Sequence, residues 1–351
     1  MIHQVKLAAL AATFFASSFS ALPLLAETTL TWGEPSPNRG QRAADVQWFA
    51  DQVEKRSAGD LKIKIQWGGA LYKAKAARQS IATGVADMGS IIQAYFPKEL
   101  VSYSIGDLPF PNEDPWVGIR AVSDHMKNPK IDAQLAKQNL KFIAPFTVSK
   151  VVLLCKGDAV RKLDDIKGKK VRGISGYGKA FGDLGANMVS MSIYKAYQGL
   201  DTGLIDCTHS YLAPSAALKH GEVADSATRL NWGIVTGLGM YMNKRVYDGL
   251  SDSQKEVLAS AAKDFVDHHG RNALTGDVNG EKKLKAAGVE FIDLPKADSA
   301  KLVAAGEKYI GEWAKQASAS GFDGDAMVKQ FREALNNYSR ERDEKGYPWA
   351  R

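Results

Sequence analysis

The sequence predicts an α/β protein built as two lobes of similar design. The first ground is a change of hydrophobic period. TTLTWGE from Thr28 alternates apolar and polar residues, Val46, Phe49, Ala50 and Val53 recur at helical spacing, and LKIKIQW from Leu61 alternates strictly. That succession reads as a β-α-β unit. The second ground is an ungapped internal repeat. Ala77-Arg-Gln-Ser-Ile-Ala-Thr-Gly-Val-Ala-Asp-Met-Gly89 matches Ala196-Tyr-Gln-Gly-Leu-Asp-Thr-Gly-Leu-Ile-Asp-Cys-Thr208 at Ala, Gln, Thr, Gly and Asp. Each copy reads as a helix closed by Thr-Gly, followed by an apolar residue and an Asp that lead into a strand. The third ground is composition. A chain of 351 residues, 45% hydrophobic and 24% charged, is long enough for two domains or one large one, and no low-complexity linker divides it. Lobes joined by several chain crossings fit that pattern better than lobes on one tether.

Taken in order, the loop PSPNRG follows the first strand, the helix of the first repeat runs from about Lys75 to Thr83, and MGSIIQAY resumes a strand, giving a first lobe with mostly parallel strands. Residues 115–138 read as helical. KFIAPF and KVVLLCK read as strands that carry the chain into the second lobe, and KKVRGIS is a short strand there. A glycine-rich connection, a helix and a further strand complete the stretch from Lys162 to Ser210. GLGMYMN from Gly237 is a strand returning to lobe one. Ser251 and Gln254 form a capping box for a long helix with Val257, Leu258, Ala261 and Phe265 as its apolar stripe. VEFIDL is one more strand, and the remainder is largely helical. The expected division is 27–149 plus about 237–276 for lobe one, 150–236 plus about 277–325 for lobe two, and a helical tail over 326–351.

The residue with the most chemical content is Arg172. It stands between Val171 and Ile174 in an apolar strand with no acid alternating with it. A buried guanidinium needs an anion, which here is either a distant carboxylate or one brought from outside. Gly176-Tyr-Gly178-Lys-Ala-Phe-Gly182 invites a dinucleotide reading, but its spacing departs from G-x-G-x-x-G. A connection that lets the backbone approach a small ligand explains the same residues. Cys207 and His209 share a strand face, the arrangement of a nucleophile and its base, yet no orienting group or oxyanion site accompanies them. His268 and His269 are adjacent on a helix and point in different directions, and no Cys, His and Asp set has metal spacing. No metal and no cofactor are expected. Cys155 and Cys207, the only cysteines, are read as two separate buried thiols, with a disulfide as the alternative.

The formal charge of +7 is modest, and its Lys and Arg residues are scattered instead of forming a stripe, which argues against nucleic acid. Residues 1–26, with Lys6, the apolar run LAALAATFFA and a small-residue segment ending near Ala26, read as a secretory signal peptide. Leu24 suits the position before a cut at Ala26 poorly, so the cut can fall several residues earlier. No cysteine precedes Cys155 to accept a lipid anchor, and the expected product is a freely soluble periplasmic protein.

The run DDIKGKKVRG, then LGANMVSMSIYKAYQGLDTGLID, and the earlier DLPF at Asp107 to Phe110 resemble the solute-binding proteins of tripartite ATP-independent periplasmic (TRAP) transporters. The resemblance covers nearly the whole chain after the signal segment. It implies a two-lobed periplasmic binding protein fold with a hinge and a long helix across both lobes. It also implies a receptor, not an enzyme, that hands a small organic acid, carboxylate or sulfonate, to membrane subunits, and a monomer is expected. By the same resemblance Arg172 matches the arginine that pairs with the substrate carboxylate. Lys150 stands where some members have a second cation, and Ser210 where an Asn often contacts ligand. Asn187 replaces a small residue and Met188 the frequent Pro. His209, Tyr95, Gln93, Trp32 and Trp232 are further candidates for the cleft, although core packing explains each of the last four equally well. The runner-up functions are a secreted enzyme using Cys207 and His209, or a ligand-binding sensor.

Overall fold

The computed structural model describes residues 27–148 and 150–351, so the expected signal segment 1–26 lies outside the described residues. The β-α-β unit forms from β1 (Thr28–Gly33), α1 (Gln41–Arg56) and β2 (Leu61–Gln66), with β1 and β2 parallel and Thr28 opposite Leu61. Helix α1 buries Val46, Phe49, Ala50 and Val53, the stripe that its spacing marks. Next come α2 (Ala77–Thr83) and β3 (Met88–Ile92). The strand stops earlier than MGSIIQAY suggests, because Gln93–Tyr95 form a 3-10 turn that leaves Tyr95 at the strand's end. α3 (Pro115–His125) and α4 (Pro129–Ala136) start on the side-chain caps Asp114 and Asn128, each followed by proline.

β4 (Leu140–Phe146) leads into β5 (Lys150–Cys155), then β6 (Lys170–Arg172) and α5 (Ser175–Asp183). The glycine run expected as a ligand-approaching connection lies inside α5. Its glycines serve packing instead: a Cβ on Gly178 would come within 2.9 Å of the Gly173 backbone, and one on Gly176 within 3.0 Å of Pro109. β7 (Asn187–Val189), α6 (Ala196–Asp201), β8 (Cys207–Tyr211), α7 (Leu212–Ala217), β9 (Ser226–Ile234), β10 (Leu238–Asn243) and α8 (Lys244–Gly249) follow. The chain ends with α9 (Asp252–Ala286), β11 (Glu290–Asp293), α10 (Lys296–Ala319) and α11 (Gly324–Lys345).

Two sheets result, ordered β2-β1-β3-β10-β4 and β11-β9-β5-β8-β6-β7. Each contains one strand running against its neighbours: β10 is antiparallel to β3 and β4, and β5 is antiparallel to β8 and β9. These two strands are where the chain changes sheet. β4 continues into β5 and β9 into β10, and the two crossings lie side by side, with the Val148 amide donating to the Val235 carbonyl at 2.8 Å. α9 begins on the capping box of Ser251 and Gln254 and runs 35 residues, packing on α1, α3 and β4 and then on α7, so it touches both sheets' layers. α10 also connects them: it packs on α5 and β9, while its Trp313 indole donates to the Val101 carbonyl at 3.0 Å. α11 closes over α3, where Arg342 pairs with the cap Asp114 at 2.8 Å.

The internal repeat has a physical counterpart in each sheet. Asp87 accepts from the Thr31 amide of β1 at 2.7 Å, and Asp206 accepts from the Lys170 amide of β6 at 2.7 Å. The preceding threonines bond back in the same way, Thr83 to the Gln79 carbonyl at 2.9 Å and Thr202 to the Gln198 carbonyl at 2.8 Å. Gly84 and Gly203 turn the chain at φ of 83° and 68°. The conserved spacing between the two copies therefore encodes one device used twice, a helix whose closing Asp ties the next strand to its parallel neighbour.

The reading of two separate thiols is overturned. Cys155 and Cys207 form a disulfide between β5 and β8, directly opposite each other with Cα atoms 4.0 Å apart. The register that sets Val151 against Tyr211 sets the cysteines against each other, and strand pairing of this kind is invisible in the sequence spacing. The bond also removes the thiol that the enzyme alternative requires. Alkylation in denaturant followed by intact mass should show no added label without reductant and both cysteines labelled with it. Because the bridge spans 52 residues, replacing both by serine should lower the unfolding free energy by about 2–4 kcal/mol in chemical denaturation.

A candidate anion-binding cleft between the lobes

The carboxyl ends of β3, β6 and β8 open onto one cleft, as strand ends do in open α/β sheets. Ile92, Arg172 and Tyr211 come from those ends. The floor is the crossing segment, with Thr147, Val148, Val235 and Leu238, and α1 and α9 contribute Arg42 and His269. The space amounts to about 920 Å³ including its open mouth. No Asp or Glu lies among the described lining residues.

Arg172 ends β6 and is 1% exposed. Its Nε donates to the Met191 carbonyl at 3.2 Å, Nη1 to the His209 carbonyl at 2.8 Å and Nη2 to the Tyr95 hydroxyl at 3.3 Å. A guanidinium has five N–H groups. Three are thus occupied by neutral acceptors, leaving one on each terminal nitrogen, and no carboxylate is bonded to Arg172 among the described residues. A desolvated cation held in this way favours an incoming anion, and two parallel N–H groups suit the two oxygens of a carboxylate.

The opposite wall meets it through a few polar contacts. Tyr95 accepts from the Ile193 amide at 3.0 Å as well as from Arg172. Arg42 donates to the Tyr194 hydroxyl at 3.4 Å and to buried Glu34 at 3.3 Å, and at the mouth Arg39 donates to the Ala217 carbonyl. Glu34 also accepts from Ser36, Ser90 and the Trp32 indole, so it is a fixed counter-charge for Arg42.

At the floor His269 links α9 to the crossing: its Nδ1 bonds Asp45 at 2.6 Å and its Nε2 the Thr147 carbonyl at 2.9 Å. The neighbouring His268 ring stacks on Trp48 while that of His269 stacks on Phe265, yet the two share one acid. His268 also reaches Asp45, at 3.3 Å, because α1 lies along α9 with Asp45 between the two rings. Burial works to raise the Asp45 carboxyl, but hydrogen bonds from His268 and His269, then the charge of His269 and the Asn272 amide, outweigh it and pull it down to about 2. Among the described residues no group of three or more His, Cys, Asp or Glu is placed to hold a metal ion.

Of the residues singled out in the sequence, the structure brings Arg172 and Tyr95 to the cleft. The others sit elsewhere. Lys150 shares a strand face with Val152, away from the cleft, and pairs with Glu113 at 3.1 Å across the outer side of the crossing. Asn187 is on the edge strand and donates to the Gly168 carbonyl at 2.8 Å. Ser210 faces away and bonds Ser215 at 2.7 Å. Gln93 is buried against the Tyr241 hydroxyl at 2.8 Å, and Trp32 stands behind the wall on Glu34. His209 lies beneath the cleft between Tyr177, Phe181 and Tyr211, and burial, helped by Arg172, holds its imidazole well below the usual range and hence neutral. It offers Arg172 its carbonyl, not its ring. Trp232 packs on Tyr177 and Phe181. Sequence reasoning missed Arg42, Tyr194 and Tyr211. Of these only Tyr211 carried a signal, lying two residues past His209 on the same strand face.

The profile of the bacterial extracellular solute-binding proteins, family 7, matches residues 35–316. The chain belongs to this family. Among similar family members is the 2,3-diketo-L-gulonate-binding periplasmic protein of Escherichia coli, 25% identical over 278 residues, covering 79% of this chain and 84% of that protein. A solute-binding protein of Albidiferax ferrireducens is 26% identical over 261 residues, 71% of this chain and 74% of its own. A TRAP solute-binding protein from a marine metagenome, specific for aromatic acids, superposes with a TM-score of 0.80 at 24% identity, covering 89% of this chain and 99% of that one. That likeness establishes the two-lobed fold.

The Asp45 cluster yields a pH prediction for this family member. A carboxyl depressed from 3.8 to about 2 contributes stability that is complete above about pH 4 and is lost as pH falls through about 2. Asp45→Asn should cost about 2 kcal/mol at pH 7 and flatten the stability profile between pH 4 and 2, as read by chemical denaturation at each pH.

Proposed function

We propose that the protein is a monomeric periplasmic receptor that captures a small organic acid between its lobes and delivers it to TRAP membrane subunits. The observation that carries this reading is Arg172, a buried guanidinium at the cleft with two N–H groups left over and no carboxylate bonded to it among the described residues. Family membership supports the receptor role, and family relatives named for 2,3-diketo-L-gulonate and for C4-dicarboxylates support an acidic solute. No chemistry is needed: no cysteine is among the described lining residues, and the His269 ring that lines the cleft has both nitrogens bonded, to Asp45 and to the Thr147 carbonyl.

Calorimetry with benzoate, succinate and glucuronate tests the anchor. Arg172→Ala should weaken the acid that binds by more than about thirtyfold, since removing one partner of a buried ion pair costs on the order of 2–5 kcal/mol. Arg172→Lys should also bind worse, because an ammonium lacks the planar fork. Near-normal affinity in either variant would remove the assignment.

The walls touch each other through Tyr95, Arg42 and Arg39, and the two crossings between the sheets form a ribbon about which they can bend. An acid on Arg172 adds contacts only when the walls are together, so it favours the closed arrangement. Solution scattering should show a smaller radius of gyration on adding the bound acid. An unchanged curve at saturation would point to a preformed site.

A further inference from the structure

We infer that the cleft is built for a monocarboxylate with an apolar body, such as an aromatic or branched aliphatic acid, whose carboxylate is held jointly by Arg172 and Tyr211. This rests on the reading of the protein as an organic-acid receptor and narrows the acid.

The charge balance of the walls limits the ligand to one buried negative charge. Arg42 already faces the buried carboxylate of Glu34, and Arg39 is exposed at the mouth, where solvent screens it. Arg172 is the buried lining cation with no bonded carboxylate among the described residues. A second carboxylate on the ligand would be desolvated without a buried partner.

The polar side chains of the wall are largely engaged with the protein. Ser36 donates to Glu34, Gln41 to Asp45 and Thr147 to the Val148 carbonyl, while both ring nitrogens of His269 are bonded. The hydroxyls of Tyr95 and Tyr194 accept from the arginines across the cleft. What remains beside Arg172 is mostly apolar, including Ile92, Ile174, Ile193, Val235, Leu238 and Leu218. A sugar acid would have to leave several hydroxyls unpaired against that surface, whereas a ring or branched chain loses nothing by entering it.

Tyr211 is the exception among the lining hydroxyls. It is 4% exposed, lines the cleft, and its hydroxyl has no hydrogen-bond partner among the described residues. It stands at the end of β8, beside β6, where Arg172 pairs with Thr208. Burial raises its phenol above the usual range, against a smaller opposing pull from Arg172, so it remains a donor throughout the working pH range. An O–H donor near a guanidinium suits a shared carboxylate oxygen.

The test is calorimetry on the dialysed full-length mature protein with benzoate, 4-methylpentanoate, succinate and glucuronate. Benzoate or 4-methylpentanoate should bind at least about tenfold more tightly than the other two. Tyr211→Phe should weaken that binding by about three- to tenfold while leaving the melting temperature of the ligand-free protein unchanged or higher, because the lost hydroxyl has no partner to abandon. Tighter binding of succinate or glucuronate would overturn the inference and leave the organic-acid reading standing. Equal affinity in Tyr211→Phe would overturn the role of Tyr211. Binding of none of the four would overturn the inference and count against the organic-acid reading as well.

Discussion

The pairing of the two chain crossings, Val148 to Val235, is the constraint on which the rest of the structure depends. A chain that leaves one sheet through β4 and returns through β10 must place one reversed strand in each sheet, and it does so with β5 and β10. With the crossings adjacent, the carboxyl ends of β3, β6 and β8 are turned toward a common space. The crossings also form its floor, so any change of angle between the sheets changes the cleft. α9 and α10 run from one sheet's layer to the other's.

Within this frame the cleft is an exercise in unequal neutralisation. Arg42 and Arg172 both line the cleft, yet among the described residues only Arg42 has a carboxylate at hand, in Glu34. Glu34 also accepts from Ser36, Ser90 and Trp32, which fixes its side chain in place beside Arg42. Arg172 is surrounded by carbonyl and hydroxyl oxygens, which orient the guanidinium without cancelling its charge. Under the proposed binding of an acid, the arriving anion would offset the cost of burying it. The His269 and Asp45 pair does for the floor what Glu34 does for the wall: it ties α1, α9 and the crossing together through groups that stay ionised or bonded.

The disulfide separates two readings of one residue pair. Cys207 and His209 share a face, as their spacing requires, but the partner of Cys207 comes from β5 and the ring of His209 is enclosed by Tyr177, Phe181 and Tyr211. Proximity along a strand places side chains on one face without deciding what else reaches that face. The same limit explains His268 and His269, which are neighbours on α9 and meet a common acid only because α1 lies alongside.

The sequence by itself determined the α/β class, the elements of the first lobe, the repeated helix-Gly-Asp-strand device and the capped long helix. Each of these is local: hydrophobic period, a glycine at positive φ and a capping box are set within about a dozen residues. It also marked Arg172, because a cation among Val171 and Ile174 conflicts with its surroundings. Only the tertiary structure decided that Tyr95, Arg42 and Tyr211 line one cleft with that arginine, that Lys150 and Ser210 face away, and that Cys155 pairs with Cys207. Those outcomes depend on strand order and register between segments far apart in the chain, where shifting by one residue exchanges the faces of a strand. No local pattern carries that information.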